Sequence, residues 1–314
     1  QSNFSLTKES PLHLSFTLYR FRTHQLLRIM AIFDHTIQEL LTSRLEKLEE
    51  EFDADVAFYY GTIDPGYLKT FRDFVEDTRA EEPQRDRLAL VVNTAGGSAE
   101  AAEKMVEIMR YNYSEVYFIV PDFAMSAGTI LCMSGNKIFM DYSSSLGPID
   151  PQVHNGNEWV PALGYLDQVE RMLEKSKNGD LTPAEFAVLQ NMDMAALNRY
   201  EQARNLTITL LRKWLVEHKF NDWDTHSSTG NPVTQTEKEE RAEEIARQLG
   251  DNKLWHSHGR FIGVQTLQDF LKLKIEDYSG DEELRTLIRS YNDLIREYIG
   301  RTGLSFFLHS ANHP

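Results

Sequence analysis

The chain has a single cysteine, Cys132, in 314 residues. That excludes an intramolecular disulfide and any cysteine-built zinc site. Its place in an apolar stretch, Ile130-Leu-Cys-Met133, reads as buried packing rather than a reactive thiol. No apolar run approaches the ~20 residues needed to span a bilayer. Basic charge is also short: 33 Lys and Arg against 48 Asp and Glu leave a net −15. Such a surface repels phosphate backbones and anionic lipid, which argues against nucleic acid and membrane as partners; Arg20–Arg28 is the one locally basic stretch. Neither a Gly-Lys-Ser phosphate loop nor a Gly-x-Gly-x-x-Gly dinucleotide fingerprint is present, and no cofactor is implied. Leu12–Phe33 is interrupted by Arg20, Arg22, His24 and Arg28, so no signal peptide is expected and the expected setting is the cytoplasm. Gln1-Ser-Asn3 has the look of a protease-site scar from an expression tag and is set aside.

What is present is concentrated between Leu88 and Gln152. Leu88-Ala-Leu-Val-Val92 is an apolar strand, followed by the turn Asn93-Thr-Ala-Gly-Gly97 and an amphipathic segment carrying Ala99, Ala102, Met105, Val106 and Met109 near helical spacing. A second strand, Val116-Tyr-Phe-Ile-Val120, runs into Pro121-Asp-Phe-Ala-Met-Ser126-Ala-Gly-Thr129 and a short apolar helix to about Gly135. A third strand, Lys137-Ile-Phe-Met140, leads to Ser143-Ser-Ser-Leu-Gly-Pro-Ile-Asp-Pro-Gln152. Alternating strands and helices imply right-handed parallel crossovers, and ligands of such sheets sit beyond the carboxyl ends of the strands. Gly96, Gly97 and Ser126 all fall at those ends.

Around this block, Thr36-x-x-Glu39 reads as a capping box before a helix whose stripe is Ile37, Leu40, Leu41, Leu45 and Leu48, a stripe that either lies on the core or makes a subunit contact. Asp55–Tyr60 reads as the first strand, Tyr67–Thr78 as a helix, and Ala80–Arg87 as a charged loop. Downstream, His154–Glu158 is polar loop and Leu166–Ser176 helical. Thr182-Pro-Ala-Glu185 opens a long helical region with a break near Asn191, reaching about Phe220. Asn221–Pro232 is loop, and Thr236-x-x-Glu239 caps a helix stopped by Gly250. Thr266–Leu273 is a short helix, and Leu284–Tyr298 a long amphipathic one ended by Gly300.

Ser126, at a strand-to-helix turn with small neighbours, is either an N-cap or an exposed nucleophile. Ala124 stands where the hydrolase elbow Gly-x-Ser-x-Gly has its first glycine. Gly96-Gly97 suits a tight turn or an oxyanion hole, the latter when paired with Ser126 on a neighbouring strand end. A serine nucleophile needs a base and a group to orient it. His154, His218, His226, His256 and His258 are available, with Lys137, Lys213 and Lys253 as lysine alternatives. His256-Ser-His258 has the spacing of a metal pair but no third ligand nearby, so no metal is expected. Asp150, in a proline-flanked turn, either orients a base or caps the turn.

At these residues the sequence resembles the Clp protease/crotonase superfamily, and more closely the serine dehydrogenase proteinase family, relatives of signal peptide peptidase A. The matching pieces are Asn93-Thr-Ala-Gly-Gly97, Ala124-Met-Ser-Ala-Gly-Thr129, Leu146-Gly-Pro-Ile-Asp-Pro-Gln152 and, more weakly, Trp255–Ile262 with Leu273-Lys-Ile275. The resemblance implies an α/β fold, a spiral of ββα units with added N- and C-terminal helices. It implies Ser126 as nucleophile, with backbone N–H groups at Gly96 or Gly97 and at Ala127 as oxyanion donors. The family's usual proline is Ala95 here, and relative to Clp protease the histidine and aspartate positions are exchanged: Asp150 stands where histidine is expected, His258 where aspartate is. A triad can be assembled in more than one chain order, so Ser126–His258–Asp150 is workable; Lys213 is the alternative base in a serine–lysine dyad.

The expected organisation is a helical extension at 4–50, a catalytic core at 51–278, and a C-terminal helix and tail at 279–314. The expected activity is peptide-bond hydrolysis through an acyl-enzyme, with a peptide or protein as substrate. The alternatives are a catalytically silent scaffold and crotonase-like acyl-coenzyme A chemistry. The resemblance also implies a homo-oligomer, whose contact is expected to use Leu41, Leu45 or Leu48.

Overall fold

A computed structural model describes residues 35–80, 85–154, 159–226 and 229–311. The Ser5–Phe33 stretch with its basic Arg20–Arg28 lies outside the described residues, as do Gln1–Asn3 and parts of the loops expected at 80–87, 154–158 and 221–232. Helix α1 occupies 35–52 of the described residues, and Thr36 lies within it rather than at its cap. Then follow β1 (Asp55–Gly61), α2 (Leu68–Arg79), β2 (Arg87–Asn93), α3 (Ala99–Asn112), β3 (Glu115–Val120), β4 (Phe123–Ala124), α4 (Ala127–Cys132), β5 (Lys137–Met140) and β6 (Ser145–Leu146). The second half holds β7 (Gln152–His154), β8 (Trp159–Pro161), α5 (Ala162–Asn178), α6 (Pro183–Gln190), α7 (Met194–Trp214), α8 (Gln235–Gly250), α9 (Asn252–Trp255), α10 (Val264–Asp269), β9 (Glu276–Asp277), α11 (Glu282–Thr302) and β10 (Phe306–His309).

The main sheet has the order β10-β1-β2-β3-β5-β9, parallel except for the antiparallel edge strand β10. Its strands are apolar on both faces, as a sheet covered on both sides requires. Leu88, Leu90, Val92, Val116, Phe118 and Val120 face the larger core, with α2, α3, α4, α7, α8 and α10. Ala89, Val91, Tyr117 and Ile119 face the opposite core, closed by α1 and α11. This two-residue period decides which side each strand residue serves.

A second, shorter run of pairing stands beyond the carboxyl ends of the strands. Thr94 bridges Ala124, β4 pairs with β6, and Leu146 bridges Ile262. Unit by unit, the chain makes a long strand, a short one and a helix, of which β3–β4–α4 is the clearest case. The architecture is mixed α/β around a mostly parallel sheet, as expected. None of the helices of the described residues is long and apolar enough to cross a membrane.

Three further expectations are corrected. Leu41, Leu45 and Leu48 are no free stripe: they are buried at 1%, 0% and 0%, in one cluster with Ile288, Tyr291 and Ile295 of α11. They are internal core and cannot carry a subunit contact. Helix α8 is capped by Thr234, whose hydroxyl accepts from the Glu237 N–H while Glu237 reaches back to the Thr234 N–H at 2.8 Å; Thr236 is inside the helix. Both threonines have a glutamate three residues on, and Thr234 wins because the chain leaves the Pro232 turn extended there. Helix α11 passes through Gly300 and ends at Gly303, which takes the left-handed φ of 69°. The Leu304–Pro314 tail, which carried no structural expectation, supplies edge strand β10. The capping box at Thr182 and the break near Asn191 stand as read.

Candidate active site

Three loops at the carboxyl ends of β2, β3 and β5 meet. In the first, Asn93 to Gly97, Thr94 is wholly committed to register. Its N–H donates to Phe123 O at 3.2 Å and its carbonyl accepts from Met125 N–H at 2.9 Å, a two-bond clasp onto the second loop. Its hydroxyl donates to Gly61 O at 2.6 Å and accepts the Gly96 N–H at 3.0 Å. Gly96 and Gly97 have φ of +107° and +149°, and both are hemmed in: a Cβ on Gly96 would lie 2.8 Å from Ser126 Cβ, and one on Gly97 2.0 Å from Ile63 O. Glycine is required at both for conformation and for closeness. The Gly96 N–H is spent on Thr94, whereas no hydrogen bond among the described residues takes the N–H of Gly97 or of Ala127.

In the second loop, Ser126 precedes α4 with φ 53° and ψ −116°, an unusual conformation for a residue with a side chain. Conformations of this kind cost about 1–3 kcal/mol and persist only where the surroundings hold them. Here Met125 is held by Thr94 from one side, and Met125 O accepts from Gly128 N–H at 2.8 Å on the other. The Ser126 hydroxyl does not cap the helix, so the N-cap reading fails.

The third loop is tied to the second by one buried hydroxyl. Thr129 Oγ1 accepts from the Gly147 N–H at 2.9 Å and lies 2.8 Å from Ala124 O and 2.9 Å from Gly147 O, to one of which it donates. Gly147 packs directly on Met125, since a Cβ there would stand 2.6 Å from Met125 Cε. Three residues on, Asp150 is fully buried. Its Oδ1 is 2.9 Å from His258 Nδ1 and its Oδ2 accepts from Gln152 Nε2 at 2.8 Å. His258 is delivered by the loop after α9, pinned when Ile262 and Leu146 exchange backbone bonds of 2.8 and 3.0 Å. Asp150 and His258 are thus joined across 108 positions of sequence, on a turn two bridges away from Ser126.

The other candidates lie elsewhere. Lys213 is exposed on α7. It adds to the burial and the Arg110 charge that push His218 down to about 4. Arg110 is bonded to Ser134 O and Asn136 Oδ1 at the amino end of β5, the opposite end of the sheet from Ser126. His226 pairs with Glu237 at 3.1 Å, Lys253 with Asp167 at 2.9 Å, and Lys137 lies over the Tyr117 ring at 5.0 Å. His256 is exposed at φ 62° while His258 faces Asp150; among the described residues no group of His, Cys, Asp or Glu could hold a metal. Burial pushes the Cys132 thiol far up, so it is inert packing. Sequence reading passed over Thr94, Thr129 and Gln152 as individuals. All three lie in the motif segments; Thr94 bonds Gly61, 33 residues back, and Thr129 bonds Gly147, 18 residues on, whereas Gln152 bonds Asp150 only two residues back.

The comparisons with known proteins follow this geometry. Residues 75–231, half the chain, match the family described as ClpP-like SDH-type serine proteinase. Ser126, both glycines and Asp150 fall inside that span and His258 outside it. An uncharacterized Methanocaldococcus jannaschii protein, MJ0137, is 26% identical over 231 residues, 73% of this chain and 67% of its own length. A second from that organism, MJ1495, is 27% identical over 135 residues, 42% of this chain and under half of its own length. Among solved structures, two variants of the 1510-N membrane-bound stomatin-specific protease, one in complex with a substrate peptide, cover 73% of this chain and 81% and 76% of theirs, at 14% and 15% identity and a TM-score of 0.43.

Proposed function

The chain belongs to the ClpP-like SDH-type serine proteinase family, and on that premise we propose that it is a serine peptidase that cleaves peptide bonds through an acyl-enzyme on Ser126. The observation that carries the reading is the buried Asp150 carboxylate 2.9 Å from His258 Nδ1. A carboxylate accepts, so Nδ1 carries the proton and Nε2 is left as the base. In this reading Nε2 takes the Ser126 proton as Oγ bonds to the scissile carbonyl carbon. The developing oxyanion accepts from the Gly97 and Ala127 N–H groups, for which no acceptor is found among the described residues. The Gly96 N–H, an expected donor, already serves Thr94. Collapse breaks the C–N bond, and the imidazolium returns its proton to the leaving amine. Water, deprotonated by the same nitrogen, then attacks the ester carbonyl carbon; the C–Oγ bond breaks, the carboxylic acid product leaves and the imidazolium returns its proton to Ser126 Oγ. Asp150, held from behind by Gln152, keeps the imidazole in that tautomer.

A fluorophosphonate probe tests this cheaply. Wild-type protein should be labelled at Ser126 and Ser126→Ala should not, with an unchanged fold. A silent scaffold and crotonase-like acyl-coenzyme A chemistry both predict no labelling; undiminished peptidase turnover by pure Ser126→Ala would remove the serine mechanism altogether. A cytoplasmic setting and a homo-oligomeric state complete the reading. With the α1 leucines internal, we assign the contact to Leu173, Phe186, Val188 and Met194 of α5, α6 and α7, which are among the exposed apolar residues.

A further inference from the structure

Helix α11 lies outside the matched family span and on the sheet face away from α4, yet its polar side chains bond the starts of the second and third loops of the site directly and reach the first through Asp122. Asp122, four residues before Ser126, is the junction. Its Oδ2 accepts from Asn93 Nδ2 at 2.8 Å and from Asn292 Nδ2 at 3.0 Å, with Arg296 Nε at 3.8 Å. Asn93 begins the loop that ends in Gly96-Gly97, so one carboxylate oxygen joins the oxyanion loop, the nucleophile loop and α11. Asn93 and Asn292 are 1% and 2% exposed, which leaves these amides no water to fall back on. One turn earlier on α11, Arg289 binds the fully buried Asp141 through Nε at 2.9 Å and Nη2 at 2.5 Å, and Ser143 Oγ at 3.1 Å. Asp141 in turn accepts from Ser143 N–H at 2.8 Å, while Ser144 Oγ donates at 3.3 Å toward Pro121 O. That knot begins the third loop, the one that carries Gly147 and Asp150. Arg289, Asn292 and Arg296, spaced i, i+3 and i+7, stand on one side of the helix.

We propose that α11 is a clamp that sets the mutual register of the three active-site loops, and that Asn292 and Arg289 are positioning residues for Ser126, Gly97 and Asp150. None of them need touch substrate. Their effect passes through Asp122 and Asp141, and it rests on the peptidase reading only for its consequence in rate. A shift of about 1 Å in such a frame costs up to about a hundredfold.

The test is Asn292→Ala in the full chain, read two ways. Hydrogen–deuterium exchange should speed in peptides covering 93–97, 122–126 and 141–150 while α8 keeps its protection. The fluorophosphonate labelling rate of folded protein, well below the unfolding temperature, should fall between about ten- and a hundredfold, with the loss in kcat rather than KM on a peptide substrate. Should Asn292→Ala not fold, Asn292→Ser, which keeps a shorter donor, serves instead. Asn292→Asp adds a signature that simple destabilisation does not produce. It sets a second carboxylate against Asp122, so protection of the three loops, taken relative to the intrinsic exchange rate at each pH, should rise again as acid lets the pair share a proton, while that of α8 stays level. If wild type itself is not labelled, the peptidase reading fails while the exchange pattern still decides the clamp. Unchanged exchange in all three loops, or a loss of protection spread evenly over the molecule, overturns it.

Discussion

Thr129→Val isolates the one hydroxyl that fastens the Asp150 turn to the nucleophile helix. The two side chains are nearly the same size, and Thr129 is fully buried, so the change removes hydrogen bonding with little change of shape. The Gly147 N–H loses its acceptor, about 1–3 kcal/mol for a buried unsatisfied donor, and the bond the hydroxyl donates to Ala124 O or Gly147 O goes too, about 1 kcal/mol. The gained apolar contact returns about 0.8 kcal/mol, leaving a net loss of about 1–3 kcal/mol. At about 2.1 cal/mol/K per residue, unfolding of a chain of 314 residues carries roughly 0.7 kcal/mol/K of entropy, so Tm should fall by roughly 2–5 °C. Labelling of Ser126 should slow by about tenfold or more at a temperature where the variant is folded, because the Gly147–Asp150 turn is no longer tied to α4. Thr129→Ser is the control: it keeps the hydroxyl and loses the methyl, so its labelling rate should match wild type even if its Tm does not. Scanning calorimetry and probe kinetics read both quantities. Unaltered Tm and rate in Thr129→Val would refute the reasoning, as would equal slowing in Thr129→Ser, which would make the effect one of packing.

Three further outcomes are expected. His258→Ala and Asp150→Asn should each lower kcat by about 10²–10⁴ while the exposed Lys213→Ala changes little, measured on a peptide or ester substrate; the reverse order would install a serine–lysine dyad. Burial pushes Asp141 up, but the Ser143 hydroxyl and N–H and the Arg289 guanidinium together hold it below 3.8, so its stabilisation is full above that pH and lost as pH falls through the lowered value. Arg289→Ala, with Arg289 one-third exposed, should cost about 1–3 kcal/mol in urea unfolding at about pH 6 and progressively less as pH falls below 3.8; a cost independent of pH would mean that the pair contributes packing alone. Glu49 and Asp55 act in the opposite sense, since burial raises both, so overall acid stability should fall less steeply than Asp141 alone dictates. Light scattering should give a mass above the 36.3 kDa of one chain, surviving raised salt because a net charge of −15 opposes contact; Phe186→Glu should lower that mass, and a monomer in low and high salt would exclude assembly through that face.

The parts legible in the sequence are those set by neighbours along the chain. Strand faces follow from a two-residue alternation, and Leu88–Val92 and Val116–Val120 could be placed because apolar runs that short, between turn residues, have one good use. Gly96, Gly97 and Ser126 were visible as turn residues after strands because backbone geometry there depends on local residue type. Local rules failed where two neighbouring signals competed. Thr234 and Thr236 both satisfy the capping-box pattern, and Gly300 and Gly303 both suit a helix end; the extended backbone at Thr234 and the left-handed one at Gly303 distinguish the two ends. Tertiary structure alone decided that Leu41, Leu45 and Leu48 meet α11 within one chain, because an amphipathic stripe states that it must be covered and not by what. It alone brought Asp150 to His258 across 108 residues, spent the Gly96 N–H on Thr94 while giving that of Gly97 no acceptor among the described residues, and drew Asp122 between Asn93 and Asn292. Hydrogen bonds over such separations depend on where the sheet carries each loop end, and no residue type or spacing encodes that position.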